Sequence, residues 1–78
     1  MMRTNERIVC ETEVSVKEHR GIPRIHLLRK CGDVASGISM PLERLNPMAA
    51  AELLERKDVV FADRESHRAL KEYLRAWL

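Results

Sequence analysis

The sequence predicts an α+β domain in which a three-stranded antiparallel sheet, beginning with a β-hairpin, is joined by two helices, the C-terminal one packed on one sheet face. Three observations lead to this prediction: alternating segments on both sides of Arg20-Gly21, a helix start at Asn46-Pro47, and an amphipathic segment over residues 64–77. Because 78 residues suffice for one small core, we expect a single domain over residues 1–78, with residues 1–6 as a loose tail.

The hairpin is predicted from the side chains that face one another when the chain folds about Arg20-Gly21. This register pairs Val14 with Leu27, Val16 with Ile25, Glu11 with Lys30 and Cys10 with Cys31. Each apolar or oppositely charged cross-strand pair contributes ~0.2–1 kcal/mol. A slip by one residue would turn the valines away from their apolar partners, so the pattern favours this register alone.

The two cysteines leave two interpretations open. Their apposition in the hairpin would allow a disulfide. However, the polar first residues do not resemble a secretion signal, and no apolar run reaches the ~18–20 residues that span a bilayer. We therefore expect a cytoplasmic protein, in which Cys10 and Cys31 are reduced and buried as small apolar side chains.

The remaining elements follow from start and stop signals along the chain. A third strand is predicted over residues 35–40, because Ile38 and Met40 share a face and Pro41 follows. Asn46 and Pro47 should begin a helix that ends near Arg56. Its large apolar side chains, expected to be buried, are Met48, Leu53 and Leu54. Residues 59–61 are predicted to be a brief extended segment that could add an edge strand.

The last helix is the clearest in the sequence, with Asp63 as its cap and residues 64–77 as its length. Its predicted inward residues are Ser66, Ala69, Leu70, Tyr73, Leu74 and Trp77. We expect the helix to cross the hairpin and to hold Trp77 against the sheet.

A basic stripe is predicted on the opposite side of the same helix. Its members are Arg64, His67, Arg68, Lys71 and Arg75. Such a stripe could bind a nucleic-acid backbone or an acidic protein surface. The stronger interpretation is that it is the ordinary solvated face of an amphipathic helix, which Glu65 and Glu72 flank.

Motifs for catalysis, cofactors and metals are not found in the sequence. The three glycines are too scattered for a phosphate-binding loop, and the cysteines and histidines lack the close spacing of zinc ligands. The net charge is only +2, so the charge of the chain as a whole does not predict a strong attraction to nucleic acid. We therefore expect a protein that is not an enzyme and that uses no cofactor or metal.

Part of the chain resembles a known family. The matching residues are Ile38-Ser39-Met40-Pro41, Leu53-Leu54, Phe61, Ser66, Leu70, Tyr73 and Leu74. They resemble the opening module of an uncharacterised domain family that heads helicase- and primase-like proteins of plasmids, phages and other mobile elements. The ATP-binding motif of those longer proteins is not in this sequence, so the resemblance implies no ATPase activity. A strand followed by two helices is also similar to the ribbon-helix-helix repressors, but Pro41 would interrupt their paired ribbon.

These observations favour a non-catalytic protein-binding module, an accessory or inhibitory protein of a phage or mobile element that docks onto a larger protein. The uncovered sheet face, with Val9, His26 and Leu28, or a sheet edge is the expected contact, and a homodimer is a further possibility. Nucleic-acid binding through the basic stripe is the alternative.

Overall fold

The structure, a computed structural model, describes residues 9–77 as one layer of helices on one four-stranded sheet. The strands are β1 (Cys10–His19), β2 (Ile22–Cys31), β3 (Val34–Pro41) and β4 (Val59–Phe61), and the helices are α1 (Pro47–Glu55) and α2 (Arg64–Trp77). A single 3-10 turn, Leu42–Arg44, connects β3 to α1. The predicted loose tail, residues 1–6, lies outside the described residues. Within those residues no helix is both long and apolar enough to cross a bilayer.

The predicted hairpin register is confirmed at every position. Val16 lies opposite Ile25, Val14 opposite Leu27 and Glu11 opposite Lys30. The turn consists only of Arg20 and Gly21, so the pairing of the two strands continues to His19 and Ile22. Both turn residues have positive φ values, 55° and 80°, which is the backbone conformation that matches the twist of a two-residue hairpin.

The third strand is also confirmed, and Ile38 and Met40 share a face of the sheet as predicted. β3 pairs with β2 so that Met40 lies opposite Ile25 and Ile38 opposite Leu27. Side chains on one face of a sheet recur every second residue. The alternating apolar residues of β1, β2 and β3 therefore all project towards the helix layer.

The prediction of a three-stranded antiparallel sheet is wrong, because the sheet has four strands in the order β3-β2-β1-β4. β4 is parallel to β1, and hydrogen bonds extend the pairing at both ends. The Thr12 amide donates to the Asp58 carbonyl (2.9 Å), and the Ala62 amide donates to the Val14 carbonyl (2.8 Å). The connection from β3 through the 3-10 turn and α1 to β4 makes this possible. It crosses the sheet and returns the chain in the direction of β3, which runs the same way as β1.

The buried core lies between the helix layer and the two central strands. Its members are Val14, Ile25, Leu42, Leu45, Ala50, Leu53 and Leu70. The prediction for Leu53 is confirmed and Leu54 is half-buried, but Met48 is 74% exposed. Ala50 faces inward, and at 100° per residue a side chain two positions earlier points about 200° away, so Met48 faces solvent.

The expected burial of Trp77 is wrong as well, since its side chain is 59% exposed. Leu70 and Ser66 are fully buried and Tyr73 is half-buried, as the helical spacing predicts. Tyr73 already lies beside the segment that precedes α1, because its hydroxyl donates to the Leu45 carbonyl (2.5 Å). The next turn of α2 therefore extends past the core, and Trp77 contacts Tyr73 edge-on instead of the sheet (6.4 Å between ring centroids).

Cys10 and Cys31 are bonded in a disulfide, and their Cα atoms are 4.2 Å apart. The apposition predicted from the hairpin is confirmed, but the expectation of reduced and buried thiols is wrong. Both residues are only half-buried, because they lie at the end of the hairpin beyond the helix layer. The disulfide closes that end of the β1–β2 hairpin.

Candidate binding surfaces

The basic stripe on α2 is a continuous exposed surface. All five residues, Arg64, His67, Arg68, Lys71 and Arg75, are solvent-exposed. Together with Glu72 they line a shallow depression of about 500 Å³. Every lining residue belongs to α2, so the depression lies between long side chains and is not a cleft in the fold. A surface of this kind can close around an extended anion but cannot enclose a small molecule.

The first turn of α2 is held against β1 by two side chains. Asp63 Oδ1 accepts a hydrogen bond from the Ser66 amide (2.8 Å), which confirms the predicted cap. Ser66 Oγ accepts a hydrogen bond from the Val16 amide (2.9 Å). β4 ends before it could pair with this amide, so the serine replaces a partner strand there. This contact orients α2 relative to the sheet.

Asp63 also forms an ion pair with Lys17 (2.6 Å between Oδ2 and Nζ). The hydrogen bond from Lys17 and those from Ser66 lower the pKa of Asp63 from 3.8 to about 2. The same contact with Asp63 raises the pKa of Lys17. The first turn of α2 is therefore fastened to β1 by a carboxylate that stays ionised down to low pH.

The side of the stripe nearest the sheet is supported by β4. The His67 ring packs edge-on against Phe61 (4.8 Å between centroids). The arginines and Lys71 face away from the sheet. Among residues 9–77, the ion pairs are Lys17–Asp63, Lys30–Glu13 and Arg56–Asp58, so none of the stripe's cations has a carboxylate partner within that range.

The open face of the sheet is a separate surface, and the structure does not bring Leu28 together with the stripe. Leu28 lies opposite Glu13 on the face without helices and is half-buried, with its Cδ1 atom beside Gly37. His26 and Val9 are exposed there. Glu13, paired with Lys30 (3.8 Å), separates Leu28 from Val60. The apolar residues of this face therefore do not form one patch.

The sequence-based reasoning missed a groove on the helix side of β3. It has a volume of about 290 Å³ and lies between β3, β2 and the end of α1. Its walls are Thr12, Leu27, Arg29, Ser36, Gly37, Ile38, Leu53 and Arg56. One signal could have indicated it: residues 34–41 contain no charged side chain, which is unusual for a strand at the edge of a sheet.

Two ionised side chains lie near one end of this groove. Arg56 forms a two-point ion pair with Asp58, with Nε–Oδ1 and Nη2–Oδ2 distances of 2.9 and 2.5 Å. The hydrogen bond with Arg56 lowers the pKa of Asp58 and raises that of Arg56. These two charges therefore compensate each other, while Arg29 of β2 adds a further positive charge to the lining of the groove.

Within residues 9–77, no group of three or more His, Cys, Asp or Glu side chains is placed to hold a metal ion. The three histidines of the sequence lie on β1, β2 and α2. The basic stripe and the β3 groove each bring neighbouring side chains together, whereas the apolar residues of the open sheet face are separated from one another.

No protein-family model, no curated protein and no solved structure matches this chain. The resemblance to the opening module of the mobile-element family stays a prediction.

Proposed function

We propose that this protein is a non-catalytic protein-binding module that docks onto a larger protein by pairing β3 with an extended segment of that partner. The observation that supports the proposal is that β3 is a long sheet edge without a charged side chain. Two of its apolar residues, Val34 and Ile38, are 69% and 57% exposed.

The two edges of the sheet differ in how they are protected. Natural edge strands are usually kept from pairing by shortness, by charged side chains, or by a covering helix or loop. β4 is only three residues long, and α2 packs beside it. β3 is eight residues long, and its first six residues are exposed, while Met40 and Pro41 at its end are half-buried. An edge of this kind is a template for a partner strand.

The groove beside β3 would give such pairing its specificity. A strand added to β3 would direct every second side chain towards the helix layer. There it would meet Ile38 and the apolar walls formed by Leu27 and Leu53. We therefore expect the partner segment to be extended, to have few charges, and to place an apolar side chain opposite Ile38.

A larger protein fits this edge better than a second copy of the chain. A symmetrical antiparallel pair could be centred on Gly37 or on Ile38, the two residues in the middle of β3. In these registers Gly37 would lie opposite Gly37 or Ser39, and glycine weakens a strand because it has no side chain to pack. Centred on Gly37, the pair would place only Ser36 opposite Ile38, and a serine is too small to fill the groove there. The family that the sequence resembles belongs to phages and mobile elements, which is the basis for proposing an accessory or inhibitory role there.

The proposal can be tested by trapping the partner and then measuring its affinity for variants. A photo-crosslinking amino acid replaces the exposed Ser36, and irradiation in the source cells identifies the protein that contacts β3. The purified partner is then titrated with the wild-type chain, with Ile38→Lys, and with Ile22→Lys as a matched control. Ile22 is similarly exposed (53%) but lies next to the hairpin turn.

We expect Ile38→Lys to raise the Kd at least ~10-fold, because a lysine at the edge would be desolvated by the added strand. Ile22→Lys should leave the Kd within about twofold of the wild-type value. Amide exchange in β3 should slow in the complex, since its free N–H groups become paired. Equal Kd values for the two variants, or a crosslinked product made only of two copies of the chain, would contradict the proposal.

A further inference from the structure

We infer that α2 binds the sugar–phosphate backbone of double-stranded nucleic acid, without reading its sequence, through Arg64, Arg68, Lys71 and Arg75. This inference is independent of the proposed role of β3, because the two surfaces lie at opposite edges of the sheet.

The geometry of the four cations suits a linear array of phosphates. At 100° per residue they fall within an arc of about 60°, so their side chains leave the helix in nearly one direction. From Arg64 to Arg75 the helix rises by about 16 Å. That length corresponds to roughly five nucleotides along one strand of a duplex.

The stripe's charges are available to a ligand. Residues 9–77 contain several ion pairs, but none that joins a stripe cation to a carboxylate. Glu65 and Glu72 lie beside the arc, about 40–60° from Arg68 at its edge, and Glu72 also lines the depression. The chain's formal net charge is only +2. The four cations nevertheless concentrate positive charge locally, on one face of α2. A local field of this kind attracts a polyanion.

The composition of the stripe favours nucleic acid over an acidic protein. Protein interfaces usually contain aromatic or aliphatic anchors in their centre, and no apolar side chain lies within the arc. Trp77 points to the opposite side of α2, about 140° from Arg64. Single-stranded nucleic acid is disfavoured by the same observation, because its binding generally uses aromatic side chains on which bases stack.

His67 fixes the side of the stripe that lies nearest the sheet. Its ring is packed against Phe61, which restricts the turn of α2 between Arg64 and Lys71. Asp63 and Ser66 fix the preceding turn to β1. The cations therefore project from a helix whose orientation is set by the fold, and only their side chains must become ordered on binding.

The test is fluorescence anisotropy with a labelled 24-base-pair duplex DNA and the full chain at several salt concentrations. Each phosphate contact changes the slope of log K against log salt by about 0.9. Four contacts predict a decrease in affinity of about 150-fold between roughly 50 and 200 mM salt. The triple variant Arg68→Gln, Lys71→Gln and Arg75→Gln should show only about a fourfold decrease over the same range.

A matched control removes the same number of positive charges from β2, with the substitutions Arg24→Gln, Arg29→Gln and Lys30→Gln. Its salt slope should equal that of the wild type. Far-UV circular dichroism checks that both triple variants are folded. The three α2 side chains are exposed, and so are Arg29 and Lys30, whereas Arg24 is half-buried and donates to Ser39 Oγ. Polyglutamate is added as a competitor at equal charge concentration.

Three results would overturn the inference. The first is the absence of duplex binding by the wild-type chain at low salt. The second is an equal loss of slope in the two triple variants, which would indicate an effect of net charge alone. The third is displacement of the duplex by polyglutamate at equal charge concentration, which would indicate an acidic protein surface as the ligand.

Discussion

Replacing Ser66 by alanine should destabilise the protein more than any other single substitution of a polar residue in α2. Ser66 is fully buried and accepts a hydrogen bond from the Val16 amide at 2.9 Å. This amide lies on the side of β1 that β4 no longer reaches. Alanine would leave this amide without its hydrogen-bond partner.

The size of the effect follows from the cost of an unpaired buried donor. Such a group costs about 1–3 kcal/mol, while the methylene of the side chain is retained. For a domain of this length, each kcal/mol shifts the Tm by about 4–8 °C. We therefore expect the Ser66→Ala variant to lose about 1–3 kcal/mol and roughly 5–20 °C in Tm.

Urea unfolding followed by far-UV circular dichroism measures this loss. Ser36→Ala is the control, because Ser36 is exposed on β3 and its removal should change the free energy of unfolding by less than about 0.5 kcal/mol. If Ser66→Ala is as stable as this control, the Val16 amide must be satisfied in another way, and Ser66 does not fix the orientation of α2.

Three further predictions concern burial, acid and reduction. Leu70→Ala should lower the free energy of unfolding in urea by ~2–5 kcal/mol, because Leu70 is fully buried. Trp77→Ala should lower it by less than ~1 kcal/mol. Equal losses would show that Trp77 is part of the core. The pKa of Asp63 is lowered from 3.8 to about 2, so the stability that its ionised form contributes is complete above pH ~4 and is lost as the pH falls towards ~2. Asp63→Asn should flatten the dependence of the unfolding free energy on pH in that window. An unchanged dependence would contradict the role of its ion pair. The disulfide joins Cys10 to Cys31 with a sequence separation of 21, for which loop entropy gives ~3 kcal/mol. Dithiothreitol should lower the free energy of unfolding by about that amount, but should leave the Cys10→Ser, Cys31→Ser double variant unchanged. Equal stability of the oxidised and the reduced wild type, with reduction verified by mass spectrometry, would refute this.

The hairpin was predictable because the information that determines it is local. Residues that face one another across β1 and β2 are close in sequence, and alternation within each strand determines which face is apolar. The caps at Asn46 and Asp63 were predictable for the same reason, since each side chain bonds an amide two or three residues later. In each case the partner lies within the stretch of sequence that shows the pattern.

The position of β4 was not predictable from such patterns. Residues 59–61 are too few to show a period, and their partner Thr12 lies far away in sequence. The pairing depends on how α1 returns the chain to the edge of β1, which is a property of the assembled fold. The contact between Ser66 and Val16 is of the same kind, with 50 residues between its partners. Periodicity indicated that Ser66 would be buried but not that it would replace a strand.

Periodicity also cannot tell how far a helix layer extends over a sheet. It assigns Ile38 to the helix side as correctly as it assigns Val14 and Ile25. Only the latter pair is buried, because α2 packs on β1 and β4 and the 3-10 turn packs on β2. Two short helices cannot cover four strands, so β3 keeps the apolar pattern of a buried strand while lying at an uncovered edge. A second strand beside β3 would remove this mismatch between pattern and burial, and the mismatch is therefore the physical reason to look for a partner there.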